Sequence, residues 1–132
     1  MSDLTDEELL FLQAALDLAR QGDAAKLAEY IDAGLPVNLT GGSGDSLLIL
    51  AAYHQHSDTV EALLTRGADT ARRNDRGQTA LGAAVFRRSE PIVRALLAAG
   101  ADPALGSPSA VEIAAFFDLP EMTALLAERP AS

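Results

Sequence analysis

The sequence predicts an all-α solenoid of about four helix-turn-helix repeats, with short β-turn fingers and atypical capping repeats at both ends. Three observations predict it. First, the chain repeats itself: Gly44 and Gly77, Val60 and Val93, Leu63 and Leu96, Gly67 and Gly100, and Asp69 and Asp102 all stand 33 residues apart. A period in this range marks a stacked architecture in which no single unit can bury its apolar face alone. Second, the 48% apolar content rests on Ala and Leu, with four Phe, two Tyr and no Trp, which suits thin, closely packed helices. Third, Gly34, Gly67 and Gly100 recur just past the outer apolar helix of successive units, where a left-handed stop is expected. The 132 residues make one domain, with repeats at approximately 4–36, 37–69, 70–102 and 103–130.

Each element has a local reason. Thr5-Asp6-Glu7-Glu8 reads as a capping box, the hydroxyl taking an orphan amide and Glu8 reaching back. The helix that follows should carry Leu9, Leu12, Leu16 and Ala19 on its inner stripe and stop near Gln21-Gly22. Asp23 can cap a second helix through Ala33, with Leu27, Tyr30 and Ile31 as inner contacts. The next unit opens in the glycine-rich turn from Val37 to Gly44, Ser46 caps its inner helix, and Ser57 or Asp58 caps its outer one. The third follows the same grammar: a turn over Arg72–Gly77, Thr79 as cap, then Ser89-Glu90-Pro91, where proline suits a first helical turn. In the fourth, Ser109 follows Thr79 by 30 rather than 33, so its turn lacks three residues. One more residue reads as lost before the final helix, where Asp118 and Glu121 can form a box around Pro120.

This pattern resembles the ankyrin repeat, strongly over residues 34–103 and weakly at both ends. The family's Thr-Pro-Leu-His turn appears as Ser46-Leu47-Leu48-Ile49, Thr79-Ala80-Leu81-Gly82 and Ser109-Ala110-Val111-Glu112. The hydroxyl is kept at every copy; the proline and histidine are absent. The resemblance implies that the inter-repeat tie made by that histidine is lost, and that stability is ordinary. It implies a cupped shape with inner helices as palm and turns as fingers, protein partners and no catalysis. Nine Arg against one Lys is similar to small single-domain ankyrin proteins of bacteria.

Composition excludes several classes. Without Cys there are no disulfides, thiol chemistry or Cys-based metal sites. The acidic start at Met1–Glu8 is unlike a signal peptide, and no segment is long enough to cross a bilayer, so no membrane association and a cytoplasmic location are expected. A net charge of −9 disfavours nucleic acid, whose phosphates would be repelled. The charge is uneven: residues 66–94 hold seven Arg and three acids, one basic island in an acidic chain.

No reaction can be assembled from the remaining groups, so the chain is expected to be no enzyme and to carry no cofactor or metal. His54 and His56 stand at i, i+2, point apart on a helix and lack a third ligand; a packing role between helices explains His56. Ser57 and Asp58 read as caps, not as triad members. Gly41-Gly42-Ser43-Gly44 lacks the Lys and preceding strand of a phosphate loop.

The family resemblance places Arg20-Gln21, Tyr53-His54, Phe86-Arg87 and Phe116-Phe117 on the concave side. Tyr53, Phe86 and Phe116 would form an anchor row, about 10 Å apart at ordinary helix spacing, with Phe117 beside it. Aromatic rings and Arg are enriched at interface centres. The alternative is that the rings fill gaps in a small-residue core. The finger tips would be Thr40, Gly42, Ser43 and Asp45, then Arg73, Asp75, Arg76 and Gln78. The expected function is a protein-interaction module, monomeric when unbound, gripping an unidentified protein partner through this face. The alternative is a dedicated inhibitor or immunity protein that blocks a toxin or enzyme.

Overall fold

A computed structural model describes residues 5–128; Leu4 and Pro130, the expected outer repeat bounds, and the start of the acidic run lie outside them. Among the described residues eight helices follow in order: α1 (Asp6–Gln21), α2 (Ala24–Asp32), α3 (Leu47–Tyr53), α4 (Ser57–Thr65), α5 (Ala80–Phe86), α6 (Glu90–Ala98), α7 (Ala110–Phe116) and α8 (Pro120–Ala127). The odd-numbered helices stack into an inner layer, α1 on α3 on α5 on α7, and the even-numbered ones into an outer layer. Each helix meets its own hairpin partner and the equivalent helices of the adjacent repeats. This is the all-α solenoid that the period predicts.

Hydroxyls start the inner helices as expected. Ser46 Oγ accepts from Ile49 N, Thr79 Oγ1 from Gly82 N, and Ser109 Oγ from Glu112 N. Thr5 and Glu8 form the reciprocal box, and Ser109 with Glu112 forms a second that was not foreseen. The outer helices start differently. Helix α4 begins at Ser57 itself, with His56 as its N-cap residue and no side-chain cap bond, so neither Ser57 nor Asp58 is the cap. Helix α8 is likewise preceded by Leu119 without a side-chain cap, and Asp118 with Glu121 makes no box. The reason lies in the link from inner to outer helix. Gln55, Arg88 and Asp118 each take a left-handed conformation, at φ of 63°, 59° and 51°, which leaves room only for a tight reversal. Asp118 follows Arg88 by 30, as Ser109 follows Thr79, so nothing further is lost before the final helix.

The core is a ribbon of Ala, Leu, Ile and Val running the length of the stack. Ala15, Leu16 and Ala19 of α1 join it, but Leu9 and Leu10 lie outside the contact and are exposed. The expected inner stripe therefore fails at Leu9 and holds from Leu12 onward. Phe11 packs its ring on Tyr30 at 4.9 Å between centroids.

Polar ties join neighbouring units. His56 Nε2 donates to the Arg20 carbonyl at 2.7 Å, supplying an inter-repeat bond at a place other than the absent family histidine. Arg66 forks onto Asp32 at 3.0 and 3.1 Å, which lowers the Asp32 pKa and raises that of Arg66. The fingers are also sewn together. Asp75 N donates to Ser43 O at 3.0 Å and Ser107 N to Gly77 O at 2.9 Å. Buried Asn74 gives Nδ2 to both Asp45 Oδ1 and Gln78 Oε1. Gly44, at φ +79°, marks the tightest approach between fingers: a Cβ there would lie 2.6 Å from Asp75 Oδ1 and 2.9 Å from its backbone nitrogen. Only glycine accepts both that conformation and that contact.

Candidate functional site: the concave face

Tyr53 and Phe86 end α3 and α5 on the concave side, one turn beyond the buried residues that anchor each helix. Their rings stack nearly parallel, 9° apart with centroids at 6.4 Å, and Phe86 meets Phe117 edge-on at 5.5 Å. Tyr53, Phe86 and Phe117 are 41%, 46% and 44% exposed. They are surface residues that cover one another, and the gap-filling alternative does not describe them.

The row differs from the expected one at its end. Phe116 occupies the register position of Phe86 but is 82% exposed and touches Phe117 edge-on. Helix α7 ends at Phe116, and Phe117, its C-cap, turns back toward α5. The third ring of the continuous row is therefore Phe117. Its spacings are well under the 10 Å of helix packing because the side chains lean together.

Beneath the row lies a hollow of about 570 Å³. Ile49, Leu50 and Ile113 give it an apolar floor, Tyr53, Phe86 and Phe117 a wall, and Arg20, His54 and Arg76 a polar rim with Asp45 and Gln78. This volume lies within the range of ligand-sized sites. Gly82 lines it as well. In the position filled by Ile49 in the second unit, the third has no side chain, and Ile113 packs close in its place, with Cδ1 3.2 Å from where a methyl would stand. The residues that sequence reasoning left out, Ile49, Leu50, Gly82, Ala83, Pro108 and Ile113, belong to the core, its margin or the fourth finger. Comparing Ile49, Gly82 and Glu112 across the repeats was the signal that could have located the space.

Arg87 stands 5.1 Å from the centroid of the Tyr53 ring, a distance that suits a cation–π contact. Gln55 faces it, with the amide oxygen 2.9 Å from Nη2 in the orientation that satisfies both groups. Arg20 is paired with Asp17. The His54 pKa is lowered by partial burial first, then by the positive fields of His56, Arg20 and Arg87. Arg73 and Asp75 are exposed at the third finger and take no part in the hollow. Among the described residues no group of three or more His, Cys, Asp or Glu could hold a metal ion, and no helix is long and apolar enough to cross a membrane.

Residues 12–106 match the family model of ankyrin repeats in three copies. An ankyrin repeat protein of Pseudomonas aeruginosa is 48% identical over 58 residues, 44% of this chain and 34% of that protein. The mitochondrial disaggregase of Bos taurus is 45% identical over 64 residues, 48% of this chain and 10% of that protein. The inactive serine/threonine-protein kinase TEX14 of Mus musculus is 33% identical over 103 residues, 77% of this chain and 7% of that protein. The matches thus span about a third or less of the length of these relatives.

Proposed function

This chain belongs to the ankyrin-repeat family, and we propose that it is a protein-interaction module whose concave face grips a partner protein by the row Tyr53, Phe86 and Phe117. Ankyrin repeats are generally protein–protein interaction modules. One observation carries the reading: three rings from consecutive units remain exposed and in mutual contact on one face. Apolar surface of that kind gains free energy when a partner covers it, and aromatic residues dominate interface energetics. His54, Arg87, Phe116, Arg76 and Gln78 frame the row and belong to the proposed contact surface, with Asp45, Arg73 and Asp75 on the finger side. Nothing in the site favours the narrower role of a dedicated inhibitor.

The test is affinity capture from native extract by wild type and by Tyr53→Ala with Phe86→Ala, each checked by urea unfolding. The double variant is expected to keep its fold and to bind the captured partner at least about tenfold more weakly, as for loss of interface anchors. A folded double variant that retains the partner at full strength would refute the reading.

A further inference from the structure

We propose that the hollow under the aromatic row receives an acidic side chain flanked by an apolar one, so that the palm selects acidic–apolar segments of its partner. The proposal rests on the concave-face reading and specifies its chemistry. It follows from an accounting of the charges that face the hollow. Asp45 is the one carboxylate in the lining, held by Asn74 Nδ2 at 2.8 Å, and Arg20 is paired with Asp17. Arg76 lines the hollow, yet its guanidinium has neither an ion pair nor a hydrogen bond among the described residues. Arg87 is held against Tyr53 and Gln55 with no carboxylate beside it. His54 adds two ring nitrogens without a hydrogen-bond partner among the described residues.

The whole chain carries −9, but Arg76 brings an unpaired guanidinium to the hollow and Arg87 holds a second against the Tyr53 wall, with Asp45 the one carboxylate in the lining. A guanidinium binds a carboxylate through two parallel bonds, and does so more strongly where water is displaced. The exposed rings of Tyr53, Phe86 and Phe117 beside the apolar floor offer more apolar surface than one carboxylate can cover, so an apolar neighbour completes the fit. A basic segment would be drawn by the net charge and repelled at this spot. A polynucleotide would meet the repulsion of the acidic chain as a whole.

The experiment is selection of phage-displayed random dodecapeptides on the full chain, repeated on Arg76→Glu, on Arg87→Gln and on the double variant Tyr53→Ala, Phe86→Ala. Expected winners carry Asp or Glu next to an aliphatic or aromatic residue. They should bind about tenfold more weakly to Arg76→Glu, as for a lost charge-assisted contact, and recover when their acid is changed to Lys. Arg87→Gln provides the second reading should Arg76→Glu fail to fold. Winners without an acid, or acidic winners indifferent to both arginine variants, overturn the proposal. If such winners still lose binding to the double aromatic variant, the concave-face reading stands alone. Winners indifferent to every variant, or no winners, overturn both.

Discussion

At the scale of single residues, the clearest departure from the repeat is Thr59. It is fully buried in α4, and its Oγ1 has no hydrogen-bond partner. Ile92 and Met122 fill the equivalent place in α6 and α8, both buried. A buried hydroxyl without a partner costs about 1–3 kcal/mol, and valine has nearly the same shape. Thr59→Val is therefore expected to stabilise the protein by about 1 kcal/mol, read as a higher urea midpoint at unchanged slope. An unchanged or lower midpoint would mean that the hydroxyl is satisfied in solution. His54 gives a second test. Its pKa is lowered in the folded chain, first by partial burial and then by His56, Arg20 and Arg87. Below the ordinary value of 6.5 the unfolded chain takes up this proton before the folded one, so acid favours unfolding. The contribution is present above the ordinary value and lost as pH falls through the folded pKa. Proton NMR should place the His54 titration below that of a model peptide, and His54→Asn should flatten the stability slope in that window. Which residues would be exceptional could not be seen in one sequence. Thr59 reads as an ordinary helix residue until the packing shows that nothing faces its hydroxyl.

At the scale of elements, inner helix starts were legible because Ser46, Thr79 and Ser109 carry their own reason, a hydroxyl one residue before an apolar run. Outer helix starts were not. They depend on the reversal at Gln55, Arg88 and Asp118, a backbone conformation that these side chains do not announce. Left-handed backbone costs a residue with a Cβ about 1–2 kcal/mol, and the exposed Arg88 side chain makes no hydrogen bond or ion pair among the described residues. Arg88→Gly should thus raise stability by about 1 kcal/mol once the greater freedom of glycine in the unfolded chain is deducted. Thermal unfolding of the variant checks this; a lower midpoint would show that Arg88 holds the link by a contact in solution. The same reversal explains the shift from Phe116 to Phe117. Register arithmetic assigns rings to helix positions, but only the turn after α7 decides which ring points back along the row.

At the scale of the molecule, the period alone disclosed the architecture, because a solenoid is built from contacts between adjacent units. The hollow escaped that reasoning. It is lined where the repeat fails, at Gly82 and at Pro108 of the shortened fourth finger, and only a comparison of the units position by position would have drawn attention there. The nearest-neighbour plan has a dynamic consequence. Helices α3 and α5 are flanked by helices on both sides within the inner layer, whereas α1 and α7 have one inner neighbour each. Stability in such a stack is close to a sum of unit and interface terms, and each missing interface lowers the cost of local opening. Amide hydrogen exchange should therefore be slowest in α3 and α5. It should be faster in α7 and α8, and fastest in the first turns of α1, where Leu9 and Leu10 lie outside the core. Truncating Leu81, buried in α5, should accelerate exchange on both sides of it, whereas truncating Leu126 in α8 should leave α1 and α3 protected. Uniform protection from α1 to α8, with equal response to either truncation, would mean that the stack opens only as a whole and that its ends are held as firmly as its middle.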